Sequence, residues 1–376
     1  MSDKQGITYF LSGGGTGGHI YPVVSVLERL LKDSDTKKVY YIGNPNNLEF
    51  EILKQFENVK FLPIYFKGMP RKFSFAFLKW LCQLEFSLWR SLYYTFKYKP
   101  DVVFTTGGYV SAPIAYSTLL TKVPLMIHDC DAQPGLVSKT VAPFAKIVSV
   151  AFEESTKILK SDKIIYNGNP VREAFFKITK EKALEELNFT AEKKTILVMG
   201  GSQGAKTINS AIVQIAKRLV EEINVQLIIQ TGKKNYEEVI EELRKVYPEF
   251  EANKSLIVKP YFDDMFIPLS AADIVVSRAG SVSLSEICLS NSPSILIPYP
   301  HAAQDHQRKN AKKMVEKGAS LYLEDDDCRG ETLNDLIEEL ITNNERLNEM
   351  SKAASSLAKK RGAEDIVSQL KSIAKK

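Results

Sequence analysis

His19 closes a glycine loop, Ser12-Gly13-Gly14-Gly15-Thr16-Gly17-Gly18-His19, and is the one side chain there that trades protons near neutral pH. A β-rich run, Ile7 to Leu11, precedes the loop, and a segment from Ile20 to Leu31, apolar at helical spacing, follows it. Strand, glycine loop and helix present backbone N–H groups and a positive helix end to an anion. The stretch therefore reads as a phosphate-proximal site with a built-in base, or as a histidine that only shapes its loop. A second glycine loop, Gly200-Gly201-Ser202-Gln203-Gly204-Ala205, follows the strand-like Lys194 to Met199. Two further strand ends carry polar groups. In Ser277 to Glu286 a helix is expected to begin near Ser283, which puts Glu286 within about its first turn. That carboxylate could accept two hydrogen bonds from a ribose diol, or only favour the helix N-terminus electrostatically. In Pro298 to Gln307 amide, imidazole and carboxylate groups suit sugar hydroxyls, and they equally suit a solvated loop capped by Asp305.

The elements that must position these groups alternate. Strands are expected at 38–43, 59–64, 101–106, 124–128 and 146–150, with helical segments between them, and the pattern restarts at Lys194 with strands at 225–230, 255–259, 273–276 and 294–298. The expected fold class is α/β: two Rossmann-like domains facing across a cleft. Gly168-Asn169-Pro170 breaks the chain between them, giving expected domains of 1–166 and 167–350, with a helical segment, 351–376, packing back on the first.

Several function classes are excluded or disfavoured. A dinucleotide site needs an acid at the end of its second strand, but the two candidate strands end Ile42-Gly43-Asn44 and Gln230-Thr231-Gly232. The second loop is not a Walker A, because Ala205 stands before Lys206 where a glycine is required. The four cysteines are scattered without metal-ligand spacing and read as free thiols in a reducing compartment. Asp325-Asp326-Asp327 reads as a solvated capping turn. A net charge of +5 permits an anionic membrane or nucleotide partner and does not call for nucleic acid. No signal peptide is visible, and no apolar run reaches the ~20 residues that span a bilayer.

Six motifs in one order carry a resemblance: Gly14 to His19, Gly107-Gly108-Tyr109-Val110-Ser111, Gly168-Asn169-Pro170-Val171-Arg172, Gly200 to Ala205, Ser277-Arg278-Ala279-Gly280 with Glu286, and Pro298-Tyr299-Pro300-His301 with His306 and Gln307. From about residue 7 to 325 the chain resembles the MurG family, the bacterial glycosyltransferases that complete the lipid-linked peptidoglycan precursor. The resemblance implies a glycosyltransferase fold of the B type. The implied activity is transfer of N-acetylglucosamine from UDP-N-acetylglucosamine to the C4 hydroxyl of the muramyl sugar of lipid I, giving lipid II. It implies His19 as catalytic base, Ser202 at the pyrophosphate, Phe262 at the uracil through its backbone, and Glu286 at the ribose. Ser281, Val282, Ser283, Leu284 and Ser285 would line the donor, His306 and Gln307 would meet its sugar, and Arg172, Thr16, Gly17 and Gly18 would complete the site. Neither a cofactor nor a metal is required. Rival readings are a same-fold transferase acting on another lipid acceptor and a non-catalytic UDP-sugar-binding protein.

Two departures add expectations. The family usually reads His-Glu-Gln-Asn where this chain has His128-Asp129-Cys130-Asp131. Asp131 would face diphosphate-bearing substrates and so needs compensation, from His128 or another cation, from a raised pKa, or from a divalent ion shared with Asp129. It would otherwise contact a sugar, assist His19, or merely cap the following helix. The expectation adopted is that Asp131 lies in the acceptor-facing half of the site and matters for turnover without metal. Second, residues 67–99 interleave aromatic residues (Phe73, Phe75, Phe77, Trp80, Phe86, Trp89, Tyr93, Phe96 and others) with Lys67, Arg71, Lys72, Lys79, Arg90, Lys97 and Lys99. Such a segment suits an anionic membrane surface, as well as a core helix with a solvated basic face. The expected location is peripheral, on the cytoplasmic face of the bacterial cell membrane.

Overall fold

The structure is a computed structural model that describes residues 6–15, 17–70, 75–201, 204–302 and 305–375. Thr16 and Ser202, two of the expected site residues, lie outside the described residues, as do Arg71, Lys72 and Phe73. The chain divides into two compact units, Met1–Arg172 with Lys359–Lys376, and Glu173–Ala358.

The first unit holds strands β1 (Ile7–Ser12), β2 (Thr36–Gly43), β3 (Val59–Pro63), β4 (Val102–Thr105), β5 (Leu125–Asp129), β6 (Ile147–Val150) and β7 (Ile164–Tyr166). Its helices are α1 (Gly17–Lys32), α2 (Leu48–Leu53), α3 (Phe75–Tyr98), α4 (Ala112–Thr121) and α5 (Leu136–Val141). The strands form one parallel sheet in the order β3-β2-β1-β4-β5-β6-β7. β4 is buried throughout and β1 nearly so, as expected of strands covered by helices on both faces. Tyr9, Leu11, Leu27 and Phe104 fill one side of this sheet, while Phe10, Ile42, Val103 and Ile127 fill the other.

In the second unit lie β8 (Thr195–Met199), β9 (Gln226–Gln230), β10 (Leu256–Lys259), β11 (Ile274–Ser277), β12 (Ser294–Leu296) and β13 (Ser320–Tyr322). Around them are α6 (Lys180–Glu186), α7 (Lys206–Lys217), α8 (Tyr236–Val246), α9 (Phe266–Ala271), α10 (Ser281–Leu289), α11 (His306–Glu316), α12 (Gly330–Thr342) and α13 (Asn344–Leu357). This sheet is also parallel, ordered β10-β9-β8-β11-β12-β13. α14 (Gly362–Ile373) returns to the first unit and packs on α1.

The chain crosses between units later than the sequence suggests, and side-chain bonding explains why. Asn167 Nδ2 donates to Ser149 Oγ on β6 and to Gln369 Oε1 on α14, both at 2.9 Å, so the Gly-Asn-Pro segment belongs to the first unit. At the other crossing, Leu347, Met350 and Ala354 bury α13 in the second unit, so only the chain from Lys359 onward returns. β7 and β13, three residues each, are strands that the residue pattern does not reveal.

Candidate functional site

Each parallel sheet reverses its strand order once, between β1 and β4 in the first unit and between β8 and β11 in the second. The loops at the carboxyl ends of such strands form the ligand crevice of an open α/β sheet. The expected chemistry falls at these two places.

In the first unit, His19 sits in the first turn of α1, half-buried, and is clamped to the end of β4. Its Nδ1 lies 2.9 Å from the Thr106 carbonyl oxygen, and Thr106 Oγ1 donates to the His19 carbonyl at 2.6 Å. A carbonyl only accepts, so Nδ1 carries the proton and the neutral ring keeps its lone pair on Nε2. That is the tautomer of a base. The ring rests on Gly108, where an added Cβ would stand 3.3 Å from His19 Cγ and Cδ2 and 2.8 Å from the Gly14 carbonyl. Below the loop, the Tyr41 hydroxyl donates to the Gly13 carbonyl, and the buried Glu49 accepts the Gly15 N–H at 3.3 Å. At least that amide is therefore committed to the protein's own carboxylate, which narrows the phosphate-cradle reading of this loop.

Asp129, at the end of β5, is buried and adjoins the same loops: an added Cβ on Gly107 would lie 3.7 Å from its Oδ2. Burial pushes the Asp129 carboxyl above the usual carboxylate range, the Ser138 hydroxyl opposes the rise as a donor, and the neighbouring Asp131 charge adds to it. Asp131 is half-buried, donates its own N–H to Asp129 Oδ1 (3.1 Å) and accepts Ser155 Oγ on its carbonyl (2.9 Å). It does not cap α5. The residue before that helix is Gly135, without a side-chain cap, and the Gly135 N–H reaches Asp129 Oδ2 at 3.4 Å. Nor is His128 its compensating cation. Burial lowers the His128 pKa to about 4, so the ring is neutral, held between Ser149 Oγ (2.8 Å) and Asn169 Oδ1 (3.1 Å). Among the described residues no three His, Cys, Asp or Glu side chains gather as metal ligands. Arg172 Nε donates to Glu28 Oε1 at 3.0 Å. Glu28 is nine residues beyond His19, about 13 Å along α1, so this contact holds the guanidinium away from the glycine loop.

The second unit gathers its groups at the ends of β8, β9, β11 and β12. Gly201, entering the second glycine loop, has φ +78°, and an added Cβ there would meet nothing within 4 Å. α10 begins at Ser281 after Gly280, two residues earlier than expected, and Glu286 therefore lies in the second turn. Helix-end electrostatics fade beyond the first turn, which weakens that account of Glu286. Ser281 and Leu284 are buried, and the Leu284 N–H donates to the Gly280 carbonyl at 2.9 Å, so of these two only Ser281, through its backbone N–H, can serve a ligand; Val282, Ser283, Ser285 and Glu286 are half-exposed. The Phe262 N–H already donates to the buried Gln230 Oε1 at 2.9 Å, leaving the Phe262 carbonyl as its backbone group for a base. His306 opens α11, and Gln307 Oε1 accepts the Tyr299 N–H at 3.0 Å. Asp326 and Asp327 are exposed as expected, but Asp325 is half-buried. It pairs with the buried Arg278, whose Nη1 also donates to the Ile297 and Pro298 carbonyls (3.1 and 3.2 Å), and it accepts Thr207 Oγ1 at 3.2 Å. This tie joins β11, β12 and the start of α7.

α3 is built inside out. Its buried residues are Ser87, Ser91, Tyr94 and Thr95, on the side that packs against α4. Phe75, Leu78, Cys82, Phe86, Trp89, Tyr93 and Phe96, spaced three or four apart, form an exposed stripe on one helix face. Phe75 is 83% exposed, Phe86 61%, Trp89 67% and Phe96 69%. Among the described residues no helix is long and apolar enough to cross a membrane.

Comparison with known proteins covers both units. The glycosyltransferase family 28 N-terminal domain matches residues 9–150 and the family 28 C-terminal domain matches residues 195–370. A UDP-N-acetylglucosamine--N-acetylmuramyl-(pentapeptide) pyrophosphoryl-undecaprenol N-acetylglucosamine transferase of Thermoanaerobacter sp. (strain X514) is 36% identical over 97% of this chain and 99% of its own length. The protein of the same name from Bacillus pumilus is 34% identical over 97% of this chain and 98% of its own. The crystal structure of Acinetobacter baumannii MurG superposes with a TM-score of 0.73 at 23% identity, over 97% of this chain and 99% of that one. Both units therefore carry the fold of that structure, and with family 28 domains in both halves and relatives over a third identical along nearly its whole length, the chain belongs to the MurG family of glycosyltransferases.

Proposed function

We infer that this protein moves N-acetylglucosamine from UDP-N-acetylglucosamine to the C4 hydroxyl of the muramyl sugar of lipid I, with inversion, forming lipid II. The observation that carries this reading is the whole-length relationship to enzymes named for that transfer. In this reading His19 Nε2 takes the proton of the attacking hydroxyl while its oxygen bonds to C1 of the donor sugar. The C1–O bond electrons leave with UDP, whose charge is met by the backbone N–H groups at the second glycine loop and the start of α10. Glu286 takes the ribose, the Phe262 carbonyl the uracil, and His306 and Gln307 the sugar. Asp131, unable to cap α5, takes an acceptor hydroxyl. The exposed stripe of α3, flanked by Lys79, Arg90 and Lys97, supports peripheral attachment to the anionic surface that presents the lipid acceptor.

A transfer assay with UDP-N-acetylglucosamine and a short-chain lipid I analogue tests the reading. The expected product is the disaccharide lipid with stoichiometric UDP. His19→Ala is expected to keep UDP binding by calorimetry and lose most turnover. Absence of transfer by the wild type, or a preference for a diacylglycerol acceptor, would overturn the proposal.

A further inference from the structure

We propose that Glu49 is a positioning residue for this reaction: an internal anion that occupies the first glycine loop's own anion hole and so fixes the backbone from which His19 projects. The inference rests on His19 as base. Glu49 is fully buried, and no cation is paired with it among the described residues. Among the described residues its charge is met by N–H groups. Oε2 accepts the Gly15 N–H at 3.3 Å, and Oε1 accepts the Asn44 N–H at 3.1 Å and Asn47 Nδ2 at 3.2 Å. A carboxylate is tolerated without solvent only when hydrogen bonds satisfy it. Here the donors come from two loops, one after β1 and one after β2, so the carboxylate ties them together.

The glycine run needs such a tie. Successive glycines leave the backbone free to adopt many conformations, yet His19 must be held to a fraction of an ångström to serve as a base. The structure clamps the run from both sides. An added Cβ on Gly14 would stand 2.6 Å from the Glu49 carboxyl carbon, and one on Gly15 would stand 2.5 Å from the Tyr109 ring. Asn47 Nδ2 bridges the two jaws, reaching Glu49 and, at 3.4 Å, the Tyr109 hydroxyl. The Tyr41 hydroxyl holds Gly13 from below. Gly13 to Gly15 are thus fixed by the buried Glu49 and Tyr41 and the half-buried Asn47 and Tyr109 before any ligand arrives. The loop is a scaffold locked by its own anion, with His19 as its working part.

The experiment compares full-length wild type, Glu49→Gln and Glu49→Ala. Glu49→Gln keeps the volume but removes the charge and turns one acceptor into a donor facing N–H groups. Its kcat is expected to fall at least about tenfold while UDP affinity by calorimetry stays within about twofold. In hydrogen-exchange mass spectrometry, peptides covering residues 12–20 should exchange at least about tenfold faster, with the remaining sheet peptides unchanged. Millimolar propionate should restore part of the turnover of Glu49→Ala and none of that of Glu49→Gln. Wild-type kcat and wild-type loop exchange in Glu49→Gln would overturn the proposal. So would faster exchange across the whole first unit, which would make Glu49 a residue of general stability. The exchange arm does not depend on the acceptor, so a wild type that transfers nothing to lipid I would refute the proposed function and leave the clamp still measurable.

Discussion

Replacing Phe86 and Trp89 together by serine should detach the protein from membranes and leave its fold and chemistry intact. Fully burying a large apolar side chain is worth about 1.5–3 kcal/mol. Phe86 and Trp89 are 61% and 67% exposed, so each has about 1–2 kcal/mol still to gain from an apolar phase. Losing both removes about 2–4 kcal/mol, or about 30- to 1,000-fold in partitioning. Were these side chains part of the core, the same change would instead cost about 3–5 kcal/mol of stability at each position. The two readings therefore separate cleanly. Co-sedimentation with vesicles containing anionic lipid, at constant lipid concentration, measures the first quantity, and thermal unfolding measures the second. The expected outcome is lost co-sedimentation, an unfolding midpoint near that of the wild type, and normal turnover of a water-soluble short-chain acceptor. Wild-type partitioning by the double variant, or a large fall in its midpoint, would refute the reasoning. The basic residues beside the stripe should each add about 1 kcal/mol on anionic lipid, a contribution that salt screens.

Glu286→Ala should weaken donor binding by about 1.5–3 kcal/mol, the worth of hydrogen bonds to a charged group, read as the UDP-N-acetylglucosamine dissociation constant; an unchanged constant removes Glu286 from the ribose. Asp131→Asn and Asp131→Ala should both lower kcat with and without chelator, and wild-type behaviour of both would strike Asp131 from the site. His128 links fold to pH. Its folded pKa, about 4, lies below the ordinary 6.5, so the stability it confers is full above pH 6.5 and is lost as pH falls toward 4, in all roughly 3 kcal/mol at 1.36 kcal/mol per pH unit. Asp129, raised by burial, acts in the opposite sense, but it is present in both wild type and His128→Gln and cancels in the comparison. The wild-type midpoint should therefore drop more steeply than that of His128→Gln between pH 6.5 and 4, and parallel curves would count against a neutral buried imidazole.

The doubled α/β pattern was legible because long buried strands and glycine loops leave strong local marks. β7 and β13 were not: each is three residues long, and unlike β12, which is equally short but fully buried, they are mostly half-exposed and leave no continuous buried run. The start of α10 was misplaced because Ser281 and Ser283 are equally plausible helix openings by residue type, and only Gly280 at the cap decides. The clamp on His19 joins residues 87 apart and the Arg278–Asp325 tie residues 47 apart, and nothing local marks either. α3 misleads in a different way. The usual inference sends the large apolar face inward, whereas here Ser87, Ser91 and Thr95 share the inner side with Tyr94 while a second aromatic stripe faces out, so the sequence shows two faces without saying which is outside. Glu49 reads as an ordinary acid near a helix start until the fold brings the glycine loop over it.

The return of α14 to the first unit has a consequence for synthesis. Residues 173–358 are one continuous stretch, so the second unit has its whole sequence before the first does. The first must wait for Ile366, Val367 and Leu370, which fill its core beside α1, and for Lys371, whose Nζ reaches Asp33 and Asp35 at 2.8 and 2.6 Å. At roughly 5–20 residues per second, translation of the intervening stretch takes about 10–40 s. During that interval the apolar face of α1 waits uncovered on the nascent chain, and the half of the protein made first is the half completed last.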